Sequence, residues 1–280
     1  MTSVAIHTMA RMELPQCYAL REGEAWLLSR GRPDGSGKNE DVAAIVDGSD
    51  GTTLVIADGV GGSTNGQRAA NETVCLVARA AAKADAEGLR SAIVDAIEDA
   101  HQRIRTIGQT TLTIVTIRGS ELRTYQVGDS AAFVIGQRGK LRHKTTSHSP
   151  VGYAVESGVI DHREALVHEE LHLVSNVLGA GDMNLELSSN RALRARDTVL
   201  VASDGLLDNV YLDEIIEIVR AGPLGDAARK LTQRSIERMA RTDRSPSKPD
   251  DLSFIVFRRG RGGARAQGAN GSANDPGSAV

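Results

Sequence analysis

Apolar positions along the chain follow two spacings, and the two come in blocks. Asp41–Val46 and Thr52–Ala57 are runs of β-branched and small apolar residues separated by Asp47-Gly-Ser-Asp-Gly51. Asp-Gly steps between two such runs predict a hairpin. Helical spacing follows over Asn65–Ala86 and Leu89–Ile107. Val74, Val77, Ala78 and Ala81 share one face of the first segment, and Ile93, Ala96, Ile97, Ala100 and Ile104 one face of the second. Strand spacing returns over Thr110–Ile117, Leu122–Val127, Ala131–Ile135 and Leu141–Thr145, with Gly119-Ser120 and Gln137-Arg138-Gly139 at the turns. Short strands are also predicted at Ala25–Ser29, Leu185–Leu187, Thr198–Ala202 and Leu252–Phe257. Two more helices are predicted at Leu212–Val219 and Gly225–Arg241.

Other stretches are less regular. Residues 1–20 show no clear period and read as an N-terminal arm. His148–Tyr153 reads as an irregular loop and Arg163–Val177 as loosely helical. Residues 259–280 are rich in Gly and Arg and cannot bury apolar surface, which predicts a disordered tail. Consecutive hairpins imply antiparallel sheets rather than strict βαβ alternation. The expected fold is therefore one α+β domain over residues 21–258. It is a four-layer helix–sheet–sheet–helix sandwich built on two antiparallel sheets.

Composition narrows the function. Aromatics are 3% of the chain, so the core must come from Val, Ile, Leu and Ala. The net charge is −3 and the body lacks a basic cluster, which excludes a nucleic-acid backbone as the main partner. Cys17 and Cys75 are too few for a disulfide framework and lack zinc-site spacing. Neither a signal-peptide core nor a run of about 20 apolar residues is present, so the expectation is a cytoplasmic protein with no membrane partner.

The chemistry lies in the aspartates. Asp58 follows Leu54-Val-Ile-Ala57, Asp204 follows Val199-Leu-Val-Ala-Ser203, and Asp129 follows Leu122–Val127 and Gly128. Asp41 and Asp250 each precede an apolar run. Strand ends are rigid, so carboxylates mounted there can converge at one edge of the fold. Carboxylates brought together repel unless a cation neutralises them, and hard oxygen ligands suit Mg²⁺ or Mn²⁺. A glycine after the aspartate lets a backbone carbonyl approach an ion. A single Asp-Gly is ordinarily a turn, as Asp47 and Asp50 are; the set is what carries weight.

That set, Asn39-Glu-Asp41, Asp58-Gly-Val-Gly-Gly62, Gly128-Asp-Ser130, Ser203-Asp-Gly205 and Asp250-Asp-Leu-Ser-Phe-Ile-Val256, resembles the motifs of PP2C-type (PPM) serine/threonine phosphatases in order and spacing. The Asp58-Gly-Val-Gly-Gly62 segment is closest to the bacterial members. The resemblance implies a helix-flanked two-sheet sandwich holding two Mn²⁺ or Mg²⁺ ions, with a possible third. It implies Asp58 as the carboxylate bridging both ions and Gly59 as a backbone ligand of the first. Asp204 and Asp250 are implied as that ion's side-chain ligands, and Asp41, with Glu40 beside it, as the carboxylate on the other. Asp129 is similar to the residue that holds the third ion with Asp204. Residues 147–177 correspond to the family's flap. The implied reaction is hydrolysis of phosphoserine and phosphothreonine in proteins by a metal-bridging hydroxide, with Asp58 and Asp204 as the central catalytic residues. The implied partners are phosphorylated proteins, the products of serine/threonine kinases, acted on by a monomer.

The chain departs from the family pattern on the phosphate side. The arginine that binds phosphate in many members is Ser36 here, leaving Arg32 and Lys38 as substitutes. The histidine of some eukaryotic members is Val60, and His143 and His148 are the nearest alternatives as proton donors, although exposed loop histidines are the ordinary account. Asp250-Asp251 stands where Asp-Asn is common. Gly35-Ser-Gly-Lys38 fails as a P-loop, having Arg32 at the required glycine. Two other functions remain: a catalytically inactive regulatory module on the same fold, and a small-molecule phosphomonoesterase.

Overall fold

The structure is a computed structural model and describes residues 2–33, 35, 38–61, 64–241 and 246–260. The tail expected over 259–280 therefore lies almost wholly outside the described residues. The elements run β1 (Ser3–Thr8), β2 (Gln16–Leu20), β3 (Gly23–Arg30), β4 (Val42–Asp47), β5 (Thr52–Ala57) and β6 (Gly59–Val60). Helices α1 (Thr64–Lys83) and α2 (Leu89–Ile104) follow, then β7 (Gln109–Thr110), β8 (Leu112–Arg118), β9 (Glu121–Val127), β10 (Ala131–Ile135) and β11 (Leu141–Lys144). After α3 (Pro150–Glu156) and α4 (His162–Ala165) come β12 (Glu186–Leu187), β13 (Arg191–Ala192) and β14 (Thr198–Ala202). The chain closes with α5 (Asp204–Leu207), α6 (Leu212–Val219), α7 (Leu224–Met239) and β15 (Leu252–Arg259).

One sheet has the order β1-β4-β5-β8-β9-β12, with β13 also on β9, and the other has the order β11-β10-β14-β15-β3-β2. All their pairings are antiparallel. The period of two along the strands sorts residues between layers. In β4, Ala43 and Ile45 enter the core between the sheets, while Val42 and Ala44 face the helix side. In β5, Leu54 and Ile56 take the first role, and Val55 and Ala57 the second. The helix-side core is closed by Val74 and Val77 of α1 and by Ile93, Ile97 and Ile104 of α2. On the far side, Ile215 and Val219 of α6 and Ala227, Ala228 and Leu231 of α7 join the core of β14 and β15. The four layers expected from the sequence are present.

Three expectations need correction. Residues 1–20 are not an arm: β1 pairs with β4 and β2 with β3, so each forms the outer edge of a different sheet. Edge strands are half solvated and need no strong apolar period, which is why the spacing there is weak. His148–Tyr153 is not all loop, because α3 starts at Pro150 with the Ser149 side chain accepting from Gly152 N at 2.9 Å. Only His162–Ala165 of the Arg163–Val177 region is helical, started by a capping box at Asp161 and Glu164. The residues that follow are mostly exposed, so no buried face sustains a helix.

Phe257 is fully buried between the layers. Phe257→Ala is expected to destabilise the fold by about 3–5 kcal/mol, seen as a lower urea midpoint at unchanged m-value.

Candidate metal centre

The antiparallel registers bring the sequence-predicted aspartates to one end of the sandwich. Val42 pairs with Ala57, so Asp41 at the start of β4 lies beside Asp58 at the end of β5. Ala131 pairs with Ala202, and Ala202 with Phe254, which aligns Asp129, Asp204 and Asp250 at the same end of the second sheet. Asp129 sits where the chain leaves β9 in one sheet and enters β10 in the other.

Two glycines make this approach possible. A Cβ on Gly59 would stand 2.4 Å from the Gly66 carbonyl carbon of α1, and one on Gly205 would stand 1.9 Å from the Asp251 carbonyl oxygen. The glycines after Asp58 and Asp204 are therefore required by backbone packing, beyond any access they give to an ion.

Buried hydroxyl and amide groups hold the aspartates in place. Asp58 N donates to Thr111 Oγ1 at 3.1 Å, and Asp58 O accepts from Thr110 Oγ1 at 2.8 Å. Ser203 Oγ donates to Asp41 Oδ2 at 2.8 Å, and Asp41 N donates to Asn39 Oδ1 at 3.1 Å. Ser253 N donates to Ser203 Oγ at 3.1 Å, which ties β15 into the same set. Asp251 is a clamp between segments: it accepts from Arg32 N at 3.0 Å and Glu40 N at 2.7 Å. Its carboxylate thus anchors the Gly-rich loop to β15.

These carboxyls do not ionise freely. Burial, then the charges of Asp41, Asp204, Asp129 and Asp250, hold Asp58 well above the usual carboxylate range. Burial and then the Asp251 charge do the same to Asp41. Burial and Asp204 push Asp250 up to about 6, Asp129 to about 7 and Asp208 to about 8. Asp41 Oδ1 and Asp129 Oδ1 are buried and have no hydrogen-bond partner among the described residues. A buried, unpaired carboxylate oxygen is costly unless positive charge lies nearby.

Such an all-oxygen donor set suits a hard divalent ion. Among the described residues, no three carboxylates, imidazoles or thiolates are grouped closely enough to hold an ion by side chains alone. An ion here would draw its remaining ligands from water and backbone oxygen, as small hard cations commonly do.

Two residues at the centre were missed by the sequence reading. Lys248 Nζ donates to Asp204 Oδ2 at 2.6 Å and to Asp208 Oδ2 at 2.7 Å, and lies 3.8 Å from Asp250 Oδ2. Burial opposes the lysine's charge, but Asp204 and Asp208 outweigh it and raise its pKa. Asp208, 8% exposed, follows Ser203-Asp-Gly205 by one helical turn, and that spacing was the available signal.

Arg32 reaches the centre, with its guanidinium 3.6 Å from Asp250 Oδ1. Lys38 is exposed, and Ser36 lies outside the described residues. His148 is buried, not an exposed loop residue: its Nδ1 accepts from Gly128 N at 3.2 Å and faces Asn176 Nδ2 at 2.7 Å. His143 is half-buried and bonds Thr124 Oγ1 at 3.1 Å. Both are occupied in supporting the fold. Beside Asp129, Asp204 and Asp208 opens a cleft of about 760 Å³ including its mouth, walled by Val151, Val155 and Leu166 of the 147–177 region and by Leu207, Leu212 and Ile215.

Comparison with known proteins accords with this geometry. The family model described as protein phosphatase 2C matches residues 34–241. The chain belongs to the protein phosphatase 2C family, and it is an enzyme of that type. A protein phosphatase 2C-type protein of Streptococcus pyogenes is 31% identical over 194 residues, covering 65% of this chain and 78% of that protein. The serine/threonine phosphatase Stp1 of Staphylococcus aureus superposes with a TM-score of 0.74 at 23% identity, covering 90% of this chain and 99% of Stp1. The catalytic domain of the phosphatase PstP, solved with two manganese ions, gives a TM-score of 0.64 at 23% identity, covering 84% of this chain and 97% of that domain. At that identity the two solved structures speak for the fold.

The raised carboxyls make a linkage prediction for the protein in EDTA. Between the unfolded carboxylate range and the native values, the folded state binds more protons than the unfolded one, so stability falls as pH rises. The loss begins above the unfolded carboxylate range and is complete as pH passes the native values, from Asp250 at about 6 to Asp208 at about 8. Lys248 stays charged throughout and does not alter the sign. Urea midpoints at pH 5.5 and 8.5 check this, and Mn²⁺ should restore the alkaline midpoint.

Proposed function

We propose that this chain hydrolyses phosphoserine and phosphothreonine in proteins, using divalent ions held by its aspartate cluster. The observation that carries the reading is the convergence of buried carboxyls whose charges act on one another, with an Asp41 oxygen left unpaired among the described residues. Asp58, whose ionisation feels four neighbouring carboxyls, would be the central ligand of the ions. Gly59 would contribute a backbone oxygen, Asp250 and the Asp204 oxygen not bonded to Lys248 would hold one ion, and Asp41 would hold the other. Manganese is the favoured ion, by analogy with the PstP catalytic domain solved with two manganese ions, and Mg²⁺ suits the same oxygens.

When bound, such ions lower the pKa of a water to near neutrality and offset charge on the phosphoryl oxygens. The chain's own part is to hold the geometry. Ser203 and Asn39 orient Asp41, Thr110 and Thr111 orient the Asp58 backbone, and Asp251 tethers the loop that carries Arg32. Arg32, 3.6 Å from Asp250, would receive the phosphate in preference to the exposed Lys38. No described helix is long and apolar enough to cross a membrane, and the physiological substrates on this reading are products of serine/threonine kinases.

Assays on p-nitrophenyl phosphate and a phosphothreonine peptide with Mn²⁺ test the proposal. Asp58→Asn is expected to lower kcat by about 100- to 1,000-fold. Arg32→Ala should raise the KM for the peptide about tenfold, the loss of one charge-assisted hydrogen bond, while Lys38→Ala leaves it unchanged. Absence of activity with every divalent ion, together with no metal binding by calorimetry, would leave a regulatory module instead. Preference for free phosphometabolites over peptides would make the chain a small-molecule phosphomonoesterase.

A further inference from the structure

Lys248 is placed too firmly to be a wandering surface side chain. Its backbone N donates to Asn209 Oδ1 at 2.9 Å, and its carbonyl accepts from Asn209 Nδ2 at 2.8 Å. Asn209 is fully buried and also donates to Gly205 O at 2.9 Å, in the turn that carries Asp204. Arg238 in turn donates to Asn209 O at 2.9 Å. Pro249 follows the lysine, and a residue before proline is confined to extended backbone. The side chain thus enters the cluster from an anchored backbone and ends between Asp204 and Asp208.

We propose that the Lys248 ammonium is a built-in cation of the acidic cluster, occupying the Asp204–Asp208 side, so that divalent ions are confined to the Asp41–Asp58–Asp250 side and no third ion binds at Asp129. Asp204 and Asp208 converge on the ammonium at hydrogen-bond distance, and Asp250 lies 3.8 Å from it. A divalent ion ligated by Asp129 and the same Asp204 oxygen would lie within a few ångströms of a positive nitrogen, about the closest repulsion a buried site can contain. A cation fixed by the fold stands where one would otherwise be drawn from solution.

The inference rests on the cluster being a metal site, and the experiment separates the two claims. Mn²⁺ binding is measured by calorimetry at fixed pH for the full chain, for Lys248→Met and for Lys248→Met/Asp208→Asn, with folding checked by urea denaturation. Lys248→Met is expected to bind one further Mn²⁺ per chain, and the double variant to lose that extra ion. Equal stoichiometry and affinity in the full chain and Lys248→Met would overturn the proposal while leaving the metal centre intact. No binding in any of the three would sink the metal centre, and the proposal with it. A second measurement needs no variant. Amine-reactive labelling followed by mass spectrometry should find Lys248 protected, both in EDTA and at millimolar Mn²⁺. Labelling that appears only with Mn²⁺ would show the ion displacing the lysine, and would overturn the proposal even if Lys248→Met failed to fold.

Discussion

The structure depends on a concentration of negative charge that a folded chain tolerates only with help. Asp41, Asp58, Asp129, Asp204, Asp208 and Asp250 meet at one end of the sandwich, and burial and neighbouring negative charge oppose the ionisation of Asp41, Asp58, Asp129, Asp208 and Asp250. No interior composed this way minimises free energy for its own sake, because well-packed apolar groups would be more stable. The fold carries the burden elsewhere. Two apolar cores, one between the sheets and one under α1 and α2, hold strands whose ends point at the cluster.

The scaffold also explains why the carboxylates are precise as well as close. Each is carried by a strand end or the turn next to it, and the groups that orient them are buried hydroxyls and amides from other strands. Ser203 links β14 to Asp41, Ser253 links β15 to Ser203, and Thr111 links β8 to Asp58. Gly59 and Gly205 let backbones close to distances a side chain would forbid. Moving one strand end would shift several ligands at once, so the cluster is rigid because the sheets are.

This division shows what the sequence could and could not reveal. Aspartates at the ends of β4, β5, β9, β14 and β15 were legible because apolar runs and Asp-Gly steps are local features. The layers were legible for the same reason, from the period of two in the strands and the helical spacing of α1 and α2. The edge strands β1 and β2 were not, since a half-solvated strand needs little apolar pattern. Lys248 was not either: it is 44 residues from Asp204 and 40 from Asp208, and only the fold brings them together. Asp251 stands where Asn is common in the family pattern, and only the fold shows it as a tether whose two oxygens accept from Arg32 and Glu40.

Positive charge reaches the cluster from two directions, and the difference between them bears on function. Lys248 comes from below on a backbone clamped by buried Asn209, makes two short bonds, and is committed to Asp204 and Asp208. Arg32 comes from the Gly-rich loop, stands 3.6 Å from Asp250, and is about one third exposed. A half-solvated guanidinium at that distance holds its partner weakly, so its planar fork stays available to a phosphoryl group. A cation spent on the carboxylates cannot also bind substrate, and a cation left to substrate cannot neutralise the centre. On the proposed function, Lys248 takes the first of those duties and leaves Arg32 to the second.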